Sequence, residues 1–205
     1  MRSDGEKIRQ RYDRLAPWFD GLEGFLEGLF FRRYRKKLWE QATGPHILEV
    51  GVGTGKNFDF YPRSAYITAI DFSPKMLAQA QRKRDKKQIC VDLTEMDVQS
   101  IYFADNSFDT VIASFVFCSV PMPRKGLKEL HRVLKPGGQL LLLEHVISSN
   151  KAMASLMNGL NPLIVRLFGA NINRHTIKNV QACRFKKIYI DSASTDMLKL
   201  IRAIK

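Results

Sequence analysis

Acidic residues are scarce in this chain: 20 Asp and Glu stand against 33 Lys and Arg, a formal net charge of +13 over 205 residues. That imbalance favours polyanionic surroundings, either nucleic acid or anionic lipid headgroups, and carries no information about fold. Cysteine is scarce too. Cys90, Cys118 and Cys183 are odd in number and show no CxxC spacing. They give neither a disulfide framework nor a zinc site, so no metal is expected, and they fit a reducing cytoplasm. No apolar run reaches the length of a membrane span. The longest, Val111 to Pro121 and Leu140 to Leu143, suit buried strands. The opening MRSDGEKIRQRYDR lacks the apolar stretch of a signal peptide. Internal repeats and low-complexity tracts are missing. With 45% hydrophobic residues, a chain of 205 residues suits one domain with a sizeable core.

What is present has an ordered layout in three segments. Residues 1–44 are helical in character and end at Gly44-Pro45. Residues 45–147 alternate short β-rich runs with helical stretches. The runs are HILEV (46–50), YITAI (66–70), IC (89–90), TVIAS (110–114) and QLLLLEHV (139–146). They are continuously apolar, as strands buried on both faces of a parallel sheet must be. Between them, SPKMLAQAQRKR opens with Ser73 as N-cap and Pro74 at the first helical position. PRKGLKELHRVLK stops before Pro136-Gly137-Gly138. This alternation predicts an α/β, doubly wound domain. In residues 148–205, Asn150 to Gly169 reads as a helix or a pair of helices broken near Pro162, and HTIKNVQAC as another. FKKIYID and DMLKLIRAI are too closely joined for a crossover and read as an antiparallel pair.

The stretch VGVGTG follows the first strand. Glycines there let backbone N–H groups approach a ligand without Cβ clashes, so Gly51, Gly53 and Gly55 point to a cofactor. The dinucleotide fingerprint GxGxxG needs its third glycine where Lys56 stands, which counts against a nicotinamide cofactor. Asp71, at the tip of the second strand, can accept from both ribose hydroxyls, or serve as a turn residue before Ser73-Pro74. Asp97 followed by Val98 can hold an adenine, the acid on its exocyclic amine and the valine on its ring face.

LEVGVGTG, AIDFSPKML, MDVQSIYFADNSFDTVIAS and VLKPGGQLLLLEH together resemble the class I S-adenosylmethionine-dependent methyltransferases. The resemblance is dense over residues 45–147 and loose elsewhere. It is nearest to the ubiquinone/menaquinone C-methyltransferases and small bacterial phospholipid N-methyltransferases, with GVGTGKNFDFYP, CSV and LEHV also similar to membrane-associated thiol methyltransferase-like proteins. It implies a mostly parallel seven-stranded sheet with an antiparallel last strand, preceded by N-terminal helices, and S-adenosyl-L-methionine as cofactor. Gly51, Gly53 and Gly55 would cradle its methionine part with Glu49 beneath the loop. Asp71 would bind ribose, Phe72 and Met76 would lie near the adenine, and Asp97 and Val98 would hold it. Ser114 and Phe115 would line the methionine side and the acceptor entrance. The segment before the first strand would close over the site, putting Tyr12 near the transferring methyl and Trp18 and Phe19 in the acceptor wall.

Methyl transfer needs the acceptor held in line with the methyl carbon, and a base only if the acceptor must lose a proton. His145, Glu144, Tyr12 and His131 are the candidates. His145 ends the fifth strand, where acceptors bind, and is either that base or a satisfied strand-tip histidine. His131 suits a solvated helix face. Cys118 follows Phe117 rather than a proline, and no Asn/Asp-Pro-Pro-aromatic sequence follows the fourth strand, so a nucleic-acid acceptor is disfavoured. Leu22, Phe25, Leu26, Leu29, Phe30, Tyr34 and Leu38 form an apolar stripe ending in Arg32, Arg33, Arg35, Lys36 and Lys37, with Phe31 and Trp39 left over. Such a helix suits an anionic membrane surface, or packs its stripe on the domain. Met153, Leu156, Met157, Leu160, Leu163, Ile164 and Leu167 make a second apolar face, able to hold an isoprenoid or acyl chain, or to enter the core. Asn173 and Arg174 could dock a polar headgroup.

The expectation is a cytoplasmic methyltransferase, peripheral at the inner membrane face, acting on a phospholipid amine or an isoprenoid quinone ring. An alkyl-thiol methyltransferase is the alternative in kind. An NAD(P)-dependent oxidoreductase and a non-catalytic basic module binding membrane or RNA are the alternatives in class.

Overall fold

The computed structural model describes residues 4–19, 31–193 and 195–205. Two helices come first, α1 (Asp4–Leu15) and α2 (Arg32–Trp39), with a 3-10 turn at Ala16–Trp18 between them. Then follow β1 (His46–Val50), β2 (Tyr66–Asp71), α3 (Pro74–Lys87), β3 (Asp92–Glu95), β4 (Phe108–Ser114), α4 (Pro123–Val133) and β5 (Leu134–His145). The last elements are α5 (Lys151–Phe168), α6 (Thr176–Gln181), β6 (Lys187–Ser192) and β7 (Leu198–Ile204).

The strands form one seven-stranded sheet in the order β3-β2-β1-β4-β5-β7-β6. β1 to β5 pair in parallel, and β7 runs antiparallel between β5 and β6. This is the doubly wound α/β sheet that the sequence predicts, with its last strand reversed. The reversal follows from chain length: the few residues between β6 and β7 reach back only as a hairpin.

Successive side chains of a strand face opposite sides of a sheet. A run such as Leu140 to Leu143, at most 1% exposed, therefore needs cover on both faces. One face packs Leu48, Ile70, Val111, Leu140 and Leu142 against Leu127, Leu130 and Val133 of α4. The other packs Ile47, Ala69, Ile112, Leu141 and Leu143 against Tyr34, Leu38 and Trp39. Each buried leucine contributes roughly 1.5–3 kcal/mol.

Three local readings need correction. Ile89-Cys90 is not a strand; the ladder forms at Asp92–Glu95, a short polar run. An edge strand has one open side and tolerates polar residues, so its apolar signal is weak. β5 begins at Leu134, before the glycine pair, because Leu134 pairs with Phe108 and the register then jumps to Gln139 opposite Thr110. α5 is one helix that continues through Pro162. Asn150 caps its start, its side chain accepting from Ala152 N and Met153 N, and Gly169 ends it at a φ of +77°.

Candidate active site

β3, β2, β1, β4 and β5 end at one edge of the sheet, and a cavity of about 1020 Å³ opens along that edge. Strand order reverses at β1, the position where open α/β sheets bind ligands. At about 4.8 Å between neighbouring strands, the tips of β2 and β5 stand roughly 14 Å apart. Asp71 lies at the first tip and His145 at the second, and both line the cavity.

The loop after β1 is pinned from below. Gly51 N and Val52 N donate to Ile70 O at 2.8 and 3.1 Å. A Cβ on Gly51 would meet Val116 Cγ2 at 2.4 Å, and one on Gly55 would meet the Phe58 ring at 2.4 Å. Those two glycines are demanded by packing. Gly53 differs: its φ is +55°, a Cβ there would touch nothing within 4 Å, and the residue lines the cavity. Its N–H donates to Asp71 Oδ2 at 2.8 Å, while Ser73 N donates to Asp71 Oδ1 at 2.9 Å. Burial outweighs these bonds and pushes the Asp71 pKa up to about 6.

Glu49 is buried beneath the loop and does not line the cavity; neither does Gly55. Its carboxyl accepts from Asn57 Nδ2 at 2.6 Å and from the Tyr61 hydroxyl. Arg35 Nη1 donates to Asn57 Oδ1 at 3.3 Å. Desolvation raises the Glu49 pKa to about 7 against these bonds and the nearby Arg35 charge. Arg35 and Asn57 do line the cavity. Sequence reading missed both; the one available signal is that Asn57 follows the glycine loop closely.

α1 closes the β2–β3 end. Ser73 Oγ accepts from Met76 N at 3.2 Å as the cap of α3, and donates to Asp13 Oδ1 of α1 at 2.6 Å. Arg9 reaches Glu95 at 3.4 Å, and Arg11 Nη1 donates to Val165 O of α5 at 2.9 Å. Tyr12 thereby packs edge-on against Phe72, with ring centroids 5.7 Å apart, and lies 6.4 Å from Phe19. Met76, Val98 and Asp97 complete this end. Asp97 accepts from Gln99 N at 2.8 Å and from Gln99 Nε2 at 2.9 and 3.2 Å.

The β4–β5 end is aromatic. Phe115, directly after β4, has a φ of 59°, a left-handed conformation that is costly for a bulky side chain. Its ring lies 4.8 Å from that of His145 and 5.0 Å from that of Phe31, with the Arg35 guanidinium 5.0 Å from its centroid. Burial depresses the His145 pKa, which keeps the imidazole neutral at pH 7. Ser114 Oγ accepts from Asn57 Nδ2 at 3.4 Å. Glu144 faces away from the cavity. Its Oε1 accepts from Val116 N and Phe117 N at 2.9 and 3.0 Å, and its buried Oε2 has no hydrogen-bond partner among the described residues. It is a structural prop of the loop after β4, with a pKa raised to about 7 by desolvation.

A methyltransferase-domain family profile matches residues 48–142, the span of this loop and both acid-bearing strand tips.

Over that span the chain is similar to that methyltransferase domain.

Among its relatives are a phosphatidylethanolamine N-methyltransferase of Cereibacter sphaeroides, 35% identical over 62% of this chain and 64% of the relative, and the thiol S-methyltransferase TMT1B of Rattus norvegicus, 34% identical over 71% and 62%. The ubiquinone/menaquinone biosynthesis C-methyltransferase UbiE of Geotalea daltonii is 36% identical over 68% and 63%. The chain thus spans just under two thirds of the length of these relatives. Solved structures share the methyltransferase fold. The [4+2]-cyclase SpnF aligns over 99% of this chain and 96% of its own with a TM-score of 0.78 at 18% identity. A SAM-dependent methyltransferase of Thermotoga maritima aligns over 96% and 99% with a TM-score of 0.76 at 16% identity. A cyclase among them shows that the fold alone does not fix the reaction.

The cavity thus gathers Tyr12, Gly51, Gly53, Asp71, Phe72, Met76, Asp97, Val98, Ser114, Phe115 and His145. It divides the two catalytic candidates, Tyr12 joining Phe72 and His145 joining Phe115. Of the N-terminal stripe, Leu22, Phe25, Leu26, Leu29 and Phe30 lie outside the described residues. The leftover aromatics face inward instead of outward: Trp39 is 3% exposed and stacks on Tyr61, and Phe31 packs on Phe115 and His145. Ile172, and neither Asn173 nor Arg174, lines the cavity; Arg174 donates to Val120 O at 2.8 Å. His131 is half-buried against Phe185, so its helix face is only partly solvated. Among the described residues no helix is long and apolar enough to cross a membrane, and no cluster of side chains is arranged to hold a metal ion.

Proposed function

We propose that this chain transfers a methyl group from S-adenosyl-L-methionine to a lipid-like acceptor at a membrane surface. The observation that carries the reading is the polarity of one continuous cavity. Carboxylates gather at its β2–β3 end, and an apolar aromatic chamber forms at its β4–β5 end. Between them lie the glycine loop and the cations Arg35 and Lys56.

S-adenosyl-L-methionine fits this donor set. Asp71 spends one acceptor site per oxygen on backbone N–H groups and keeps the others for ribose hydroxyls. Asp97 serves the adenine amine, with Val98, Phe72 and Met76 around the ring. The open side of Gly53 admits the methionine part, and Arg35 provides a cation for its carboxylate. When bound, the cofactor supplies an electrophilic methyl on a sulfonium whose leaving group departs neutral. Phe31 and Phe115 exclude water and orient the acceptor. A ring nitrogen of neutral His145 takes the proton of an acceptor that must lose one. Tyr12 walls the nucleoside end.

Two of the three relatives are named for phospholipid or quinone acceptors, which supports the lipid-like class. Incubation with methyl-labelled cofactor and a total membrane lipid extract is expected to place label in an organic-soluble product. Label found only on added alkyl thiols would move the assignment to the thiol reading, which the similarity to TMT1B favours.

His145→Ala is expected to lower kcat about 100-fold with the cofactor KM within about threefold of the parent. The acid limb of the parent kcat profile should vanish in the variant. An unchanged kcat would reduce His145 to a wall residue.

A further inference from the structure

α5 presents a face that, among the described residues, the fold leaves exposed. Met153, Leu156, Leu160, Leu163 and Leu167 recur every three or four residues, are between 40% and 55% exposed, and do not line the cavity. The neighbouring face is the one that packs. Met157 is buried, Asn161 Oδ1 accepts from Ile172 N at 3.0 Å, and Asn161 Nδ2 donates to Asn171 Oδ1 at 3.1 Å. Those bonds fix the rotation of the helix and hold the leucines outward. The stripe spans fourteen residue steps, about 21 Å at 1.5 Å per step. Polar contacts are lacking along it, so its occupant must be apolar in turn.

Charge selects among apolar occupants. The charged residues of α5 are Lys151 in its first turn and Arg166 in its last. From His145 to Ile190 the sequence contains no Asp or Glu, in a chain whose net charge is +13. Just before α5, Ser148 Oγ and Ser149 N donate to Asp196 at 2.7 and 2.8 Å. A leucine stripe on a helix whose charges are cations, in a stretch without acids, matches the interface of an anionic bilayer, where leucines enter the acyl boundary and the flanking Arg166 meets headgroups. The position is telling. The C-terminal end of α5 leads into Ala170 and Ile172 of the cavity wall, and Arg11 of α1 bonds to Val165 beside them.

We infer that the outer face of α5 docks on an anionic lipid bilayer and so brings the cavity mouth to the headgroup layer. This rests on the lipid-acceptor reading above and supplies the surface that would serve it.

Vesicle flotation of the full chain tests the docking without any turnover. Vesicles of phosphatidylcholine alone are compared with vesicles holding about 30% phosphatidylglycerol. The parent is expected to prefer the anionic vesicles at least about tenfold, and Leu160→Glu/Leu163→Glu to lose at least about tenfold of that binding. Lys151→Glu/Arg166→Glu should lose the preference for anionic lipid. Calorimetric binding of S-adenosyl-L-methionine should stay within about twofold of the parent in both variants, which certifies the fold. Equal flotation of parent and leucine variant overturns the proposal. So does a parent dimer that the leucine variant dissociates, since the stripe would then join two copies of the chain. A leucine variant with altered cofactor affinity and normal flotation also overturns it, because the stripe would then serve the chain's own packing. Turnover on a short-chain soluble acceptor separates the two readings: it survives a failure of docking and is absent if the lipid-acceptor reading fails.

Discussion

Gly53→Ala abolishes cofactor binding while the protein stays folded: that is the expected result, and the neighbouring glycines are expected to behave in the opposite way. A methyl on Gly53 meets no protein atom within 4 Å and enters the cavity directly. Its backbone cost in the left-handed region is about 1 kcal/mol, a fall of about 2–4 °C in Tm for a chain of this size. The same methyl occupies the space through which a ligand reaches the loop backbone, so calorimetric affinity should drop at least about 100-fold, about 2.7 kcal/mol. Gly51→Ala and Gly55→Ala drive Cβ to 2.4 Å from Val116 and Phe58, respectively. Overpacking of that kind costs about 1–3 kcal/mol before any ligand is considered. Scanning calorimetry and cofactor titration of the three variants separate the roles. Normal affinity in Gly53→Ala would remove the glycine loop from the binding site.

The second large effect is a stability that declines as the solution becomes more alkaline. Glu49 and Glu144 are wholly buried with pKa values raised to about 7, and Asp71 to about 6, each chiefly by desolvation. Unfolded, the same carboxyls titrate near pH 4. Between those limits the native state holds more protons than the unfolded one, so stability falls with rising pH. The contribution is complete below pH 4 and gone once pH passes 7. Each group gives a slope of up to about 1.4 kcal/mol per pH unit. Asp109 and Glu129 pull the other way: Lys135 and Arg132 hold their carboxyls low, so they stabilise above pH 4 and fail in acid. Maximum stability of the unliganded protein is therefore expected near pH 4. Glu144→Gln isolates one group. It keeps an acceptor for Val116 and Phe117 and removes the ionisation. The variant should melt at least about 5 °C above the parent at pH 8 and close to it at pH 4. The same difference at both pH values would show that Glu144 does not titrate in this range.

The fold was legible where the signals were local. Continuous apolar runs identified four of the parallel strands, Ser73-Pro74 marked the start of α3 as an N-cap does, and the brief link before Leu198 forced the hairpin. Legibility failed where a residue's meaning depends on what it packs against. Leu156 and Ile164 look alike in sequence, and only the Asn161 anchor decides which of them turns outward. Trp39 reads as a surplus aromatic until Tyr61, far along the chain, is found stacked on it. In the site, glycines and acids at strand tips were visible because the motif is contiguous. Arg35 was counted as surface charge; its burial between Asn57 and Phe115 is a product of the tertiary fold. Asp13 carried no signal either, since the hydroxyl it grips belongs to a helix that lies sixty residues on.

The left-handed backbone of Phe115 has a consequence for evolution in the laboratory. At a φ of 59° glycine is more comfortable than any aromatic residue, by about 1 kcal/mol. Glycine would also strip the ring from Phe31, His145 and Arg35, and removing a packed phenyl ring costs on the order of 3 kcal/mol. The ring's neighbours therefore hold this peptide unit in its strained shape, so selection for durability and selection for turnover would both keep the aromatic residue.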